Sequence, residues 1–183
     1  MKRIILTYGL IAGAIVGGML LITMPLYEKG ILKFENSQWL GYTTMVIALA
    51  LVFFGVKSYR DREQGGSITF GKGLKVGMLI SLVASLVYAC SWEISYNTMS
   101  NDFMKLYNEK AMEKLKKEGA TEVKIQETIR EMEKFETVYK NPIFRFGITL
   151  MEILPVGIII SLLSAALLKK GQFLPATQTT NSN

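Results

Sequence analysis

The stretch KSYRDREQGGSITFGKGLKVG, from Lys57 to Gly77, decides how the chain is threaded. Two long apolar runs precede it and two follow. It holds Lys57, Arg60, Arg62, Lys72 and Lys75, all close to the end of an apolar run. Basic side chains so placed sit among lipid headgroups, and their excess marks the cytoplasmic side of a membrane. Gly65-Gly66 interrupts any helix passing through. The stretch therefore reads as a surface loop between two spanning helices, and the rest of the chain is laid out from it.

Going backward, Trp39–Val56 is the second span, opened by Trp39 and Tyr42, whose rings suit a half-wet interface. Tyr27–Ser37 reads as a short polar connection. Ile4–Met24 has 21 residues without a charge. At about 1.5 Å per residue such a helix crosses roughly 30 Å of hydrocarbon. Met1-Lys2-Arg3 and Ala12-Gly13-Ala14 imitate the charged start and small-residue cleavage site of a signal peptide. The apolar run continues well past that site, so an uncleaved first span is expected, ended by Pro25. Going forward, Phe70–Tyr96 carries the third span, with Lys72 and Lys75 snorkelling at its start and Trp92 and Tyr96 at its far end. Ile143–Leu168 is the fourth, closed by Lys169-Lys170-Gly171.

Residues 97–141 differ in kind, with nine acidic and nine basic side chains. Apolar positions still recur at helical spacing: Phe103, Tyr107, Ala111, Met112 and Leu115, then, after Gly119, Ile125, Ile129, Met132, Phe135 and Tyr139. Thr121 can cap the second half, and Glu113–Lys117 and Glu136–Lys140 are favourable i,i+4 pairs. Two amphipathic helices are expected, presenting either an ordinary solvated face or a surface for a partner. The Thr/Asn/Ser-rich end, 176–183, reads as a disordered tail. The expected fold is all-α: a bundle of four transmembrane helices at about 4–24, 39–56, 74–96 and 143–168, forming one membrane domain over 1–175 with the two-helix insert at 97–141.

This threading puts both termini and the 57–77 loop on one side, with nine Lys and Arg residues, and the insert on the other, where Lys29 and Lys33 join its nine to make eleven. The nine crowd the span ends, whereas those of the insert are spread through it, and charge close to the spans governs insertion. Both termini are therefore expected in the cytoplasm, with the insert outside.

The net charge of +6 and the mean hydropathy of +0.28 fit this distribution. The positive excess faces lipid headgroups rather than nucleic acid. Cys90 is the single cysteine and there is no histidine. Intramolecular disulfides, the common zinc sites and Ser-His-Asp or Cys-His catalysis are thereby excluded. We expect no enzyme activity, no cofactor and no metal. Gly66–Lys72 follows the first seven positions of a phosphate-binding loop, but Gly73 stands where that loop needs Ser or Thr for magnesium.

Two groups of residues remain as candidates. Gly9, Gly13 and Gly17 share one helix stripe, widened by Gly18, and Gly73 and Gly77 repeat the spacing in the third span. Such stripes let helices approach closely, either within one bundle or in a homodimer. Glu93, Arg145 and Glu152 are charges inside apolar runs. Arg145 and Glu93 both lie near the outer boundary and can pair. Glu152 lies near mid-span, where a carboxylate costs about 3 kcal/mol on insertion scales, so it is expected to be a buried, hydrogen-bonded anchor within the bundle, the alternative being a proton- or ion-handling site. Pro155 follows it and can kink the helix.

The glycine-rich first span, YRDREQGGSITFGKGLKVG, the charged helical insert and the closing GIIISLLSAALLKK, taken in this order, resemble a bacterial membrane family, domain of unknown function 4199. The resemblance covers nearly the whole chain. It implies four spans and an extracytoplasmic insert, and no substrate, cofactor or catalytic residue. Two functions follow from the residues. One is a non-enzymatic envelope protein acting through helix packing or contacts with itself or another membrane protein. The other is a small oligomeric transporter or channel using Glu152.

Overall fold

The computed structural model describes residues 1–29, 31–32, 34–98, 103–169 and 173–174, without the side chains at 28, 34–38, 103, 104, 106, 107 and 114. Lys33, Lys170, the 176–183 tail and the side chains of Phe103 and Tyr107 fall outside this description.

The described residues form six helices: α1 (Lys2–Glu28), α2 (Phe34–Glu63), α3 (Phe70–Thr98), α4 (Phe103–Lys117), α5 (Glu122–Tyr139) and α6 (Pro142–Leu168). Of these, α1, α2, α3 and α6 are long and apolar enough to cross a membrane. Over the described residues the protein is all-helical, with four such helices. A lipid-facing backbone must satisfy its own hydrogen bonds, which is why the apolar runs fold as unbroken helices.

Helix α3 is the hub and packs against α1, α2 and α6. Ala12, Ala48, Leu49, Val52, Ile80, Ala84, Ile153 and Leu168 are fully buried along these seams. Leu6, Leu10, Ile22, Ile47, Phe54, Ile159 and Leu163 point outward and are exposed. Small and aliphatic residues inside with large aliphatics outside is the pattern of a bundle solvated by lipid tails.

Three boundaries differ from the sequence reading. Pro25 does not end the first span; α1 continues to Glu28, and the Pro25 carbonyl accepts from Lys29 N at 3.2 Å. A proline φ suits a helix, and the loss is confined to one backbone hydrogen bond. Helix α2 starts at Phe34 rather than Trp39, so half of the expected polar connection is helical. Most important, the 57–77 stretch is not a loop for most of its length. Helix α2 runs on to Glu63 and α3 begins at Phe70, leaving a short turn. Gly65 and Gly66 supply positive φ angles of 63° and 87° there, a backbone conformation open mainly to glycine.

The insert forms α4 and α5, joined at Gly119 with φ 71°. Thr121 caps α5 by accepting from Lys124 N. The pairs Lys117–Glu113 at 3.1 Å and Lys140–Glu136 at 3.0 Å lie along the exposed faces. Together the two lysines Lys110 and Lys117 hold the Glu113 carboxyl below its ordinary range.

Candidate functional site

Polar groups concentrate at three levels of the bundle. At the α3–α6 seam, small residues let the two helices touch. Ser81 Oγ donates to Gly157 O at 3.3 Å and lies 3.3 Å from Ser161 Oγ, while Ser161 Oγ donates to Gly157 O at 2.7 Å. A Cβ added at Gly77 would come within 2.9 Å of Ser161 Cβ, and one at Gly73 within 3.3 Å of the Ala165 backbone. The α1–α3 seam is as tight. A Cβ at Gly9 would sit 2.7 Å from Val83 Cβ, at Gly13 2.6 Å from Val87 Cβ, and at Gly17 2.3 Å from Ser91 Oγ. Gly18 has open space around it. The structure thus places both glycine stripes against partner helices of the same chain.

At the end where α3 leads into the insert, Arg145 of α6 is buried at 3% exposure. Its guanidinium donates to both oxygens of Glu93 on α3, Nε to Oε1 at 2.9 Å and Nη2 to Oε2 at 2.6 Å. Nη1 donates to the Tyr139 carbonyl at 3.2 Å. The guanidinium also stacks 3.8 Å above the Tyr96 ring. A planar fork, a carboxylate and an aromatic face form the strongest arrangement for a desolvated arginine. Tyr139, the last residue of α5, is buried here and stacks on Phe135 at 5.2 Å. Burial pushes its hydroxyl well above the ordinary tyrosine range. The site therefore ties the insert to α3 and α6.

Glu152 lies two turns further along α6. The Tyr88 hydroxyl of α3 donates to Glu152 Oε2 at 3.5 Å, a long and weak hydrogen bond. The residue itself is exposed on the flank of the bundle rather than buried within it as an anchor. Glu152 is not brought together with Arg145 and Glu93. No basic side chain pairs with it among the described residues.

At the opposite end sits a group that sequence reasoning missed. Arg60 is completely buried. Its Nε donates to Asp61 Oδ1 at 2.6 Å, Nη1 to Phe173 O at 2.8 Å and Nη2 to Leu174 O at 2.5 Å. Lys57 pairs with Asp61 at 2.6 Å, and the N-terminal amine with Glu63. Arg60 does not face lipid headgroups, as its place in the sequence suggests; it clasps the segment that follows α6. Lys72 Nζ donates to Gln64 Oε1 at 2.9 Å, so the lysine of the phosphate-loop-like run closes the α2–α3 turn. Among the described residues no group of three His, Cys, Asp or Glu is placed to hold a metal.

The family described as "Protein of unknown function (DUF4199)" matches residues 7–170. The chain belongs to this family. The match runs from the first span to the end of the fourth, and so includes Arg60, the whole Arg145 cluster and the insert, but not the Phe173 and Leu174 carbonyls that Arg60 holds. No curated protein and no solved structure matches the chain.

Proposed function

We propose that the protein is a non-enzymatic scaffold of a bacterial cytoplasmic membrane, with both termini inside and the α4–α5 hairpin outside, and that it works by protein contact through that hairpin. The observation that carries this reading is how the polar groups are used. Ser81 and Ser161, Glu93, Arg145 and Arg60 all bind other parts of the chain. The hairpin, by contrast, leaves Val123, Phe135 and Val138 exposed, with Ile143 and Phe144 just beyond it. Apolar side chains on a charged, water-facing hairpin favour contact with another protein surface.

A photo-cross-linking residue at Val123 tests it in native membranes. A discrete adduct that disappears when Phe135 and Val138 are changed to Ser supports the scaffold. No adduct, together with an ion flux in proteoliposomes, overturns it. The exposed mid-span Glu152 favours a second reading, an oligomeric transporter or channel. That reading requires a proton or ion flux that Glu152→Gln abolishes while the folded protein remains abundant.

A further inference from the structure

Three charges lie within the apolar runs of α3 and α6. Glu93 and Arg145 neutralise each other, and all three ends of the Arg145 fork are occupied by Glu93 and the Tyr139 carbonyl. Glu152 is left with a hydroxyl at 3.5 Å and no cation among the described residues. It is reached from the side. Ile148, Met151 and Ile159 around it on α6 are exposed at 37%, 75% and 57%. Aromatic residues from other helices gather at the same place. Tyr88 is buried at the Glu152 contact, and the hydroxyls of Tyr42 on α2 and Tyr139 on α5 lie within electrostatic range of the Tyr88–Glu152 pair. Tyr42 is itself 52% exposed.

A carboxylate in hydrocarbon gains most from a positive charge that is itself cheap to desolvate. Quaternary ammonium and phosphonium ions meet that condition: their charge is spread, they have no donors to satisfy, and aromatic rings attract them. The geometry points to Glu152, with Tyr88 beside it, as a binding site for a lipophilic organic cation that enters from the bilayer. The carboxylate neutralises the charge, the Tyr88 hydroxyl holds the carboxylate, and the exposed aliphatic side chains around it cover the apolar substituents. The site is independent of the scaffold reading, because the hairpin takes no part in it beyond Tyr139.

The probe is tetraphenylphosphonium, measured by equilibrium dialysis against the purified full-length protein in lipid nanodiscs. The wild type shows saturable binding. Glu152→Gln weakens it at least about tenfold, since one opposite charge and its desolvated setting are lost. Thermal unfolding of the variant is recorded alongside. A second measurement needs no variant: dicyclohexylcarbodiimide modifies Glu152 in the wild type, and tetraphenylphosphonium slows that modification. Equal binding by wild type and a folded Glu152→Gln overturns the site, as does wild-type binding that never saturates or a carbodiimide reaction the cation leaves unchanged. A cross-link from position 152 to a basic side chain of another chain would also overturn it, because that group would then be the cation.

Discussion

The two ends of the bundle each bury an arginine, and they do so by different means. Arg145 meets a carboxylate and an aromatic ring on the neighbouring helix. Arg60 meets two backbone carbonyls that lie more than a hundred residues away in the chain, with Asp61 beside it. Removing Glu93 would leave a desolvated cation with no counter-charge, whereas losing the Phe173–Leu174 contact would leave Arg60 beside Asp61 at a membrane surface. The first end is a lock between spans. The second is a latch on the segment after α6, and Phe173 adds an edge-on ring contact with Phe53 at 6.4 Å.

That contrast is sharpest in the largest expected effect. Glu93→Gln or Arg145→Met should each cost about 3–5 kcal/mol, the usual cost of breaking a buried ion pair from one side. The combined Glu93→Leu, Arg145→Met protein should recover most of it. Denaturant unfolding in detergent reads all three, and a double variant no better than the singles would show that the pair is more than mutual neutralisation. Arg60→Met should cost less, about 1.5–3 kcal/mol, the range for hydrogen bonds made by a charged group. Limited proteolysis should then cut near Phe173, while the Glu93–Arg145 end stays intact. Since the clusters share no partner, their costs should add; strong coupling would mean that the ends are one unit.

The seams between the ends give the next effect. Gly13→Leu forces a side chain into the Val87 contact and should cost about 1–3 kcal/mol. Gly18→Leu, in open space, should stay within about 0.5 kcal/mol of wild type by thermal unfolding. Smallest is the exposed Glu113. Its carboxyl is held low by Lys117 and Lys110, so its contribution is present above the ordinary carboxylate range and fades as pH falls through the lowered value. Screening by water should leave unfolding of Glu113→Gln indistinguishable from wild type at neutral pH.

The four spans were legible because hydrocarbon length and the absence of charge are written directly in residues 4–24, 39–56, 74–96 and 143–168. The Glu93–Arg145 contact was legible because two opposite charges inside apolar runs have few other places to go. Arg60 was not. A basic residue past an apolar run looks the same whether it meets lipid phosphate or a backbone carbonyl, and carbonyls carry no sequence signature. Reading it as a headgroup charge also hid the last turns of α2, which continue through Lys57 and Arg60 to Glu63. Which neighbour the glycine stripes face could not be read from their spacing alone; Val83, Val87 and Ser91 of α3 occupy it.

The central claim is that the α2–α3 turn and the α4–α5 hairpin lie on opposite sides of one membrane. Single cysteines at Ser67 and Lys117, in a protein whose Cys90 is replaced by Ser, test it directly. Lys117 is 71% exposed and avoids the positive φ of Gly119. In intact cells stripped of any outer barrier, an impermeant thiol reagent should label position 117 and should reach position 67 only after the membrane is opened. Labelling of 67 but not 117 would invert the protein, and equal labelling of both would contradict the four-span threading itself.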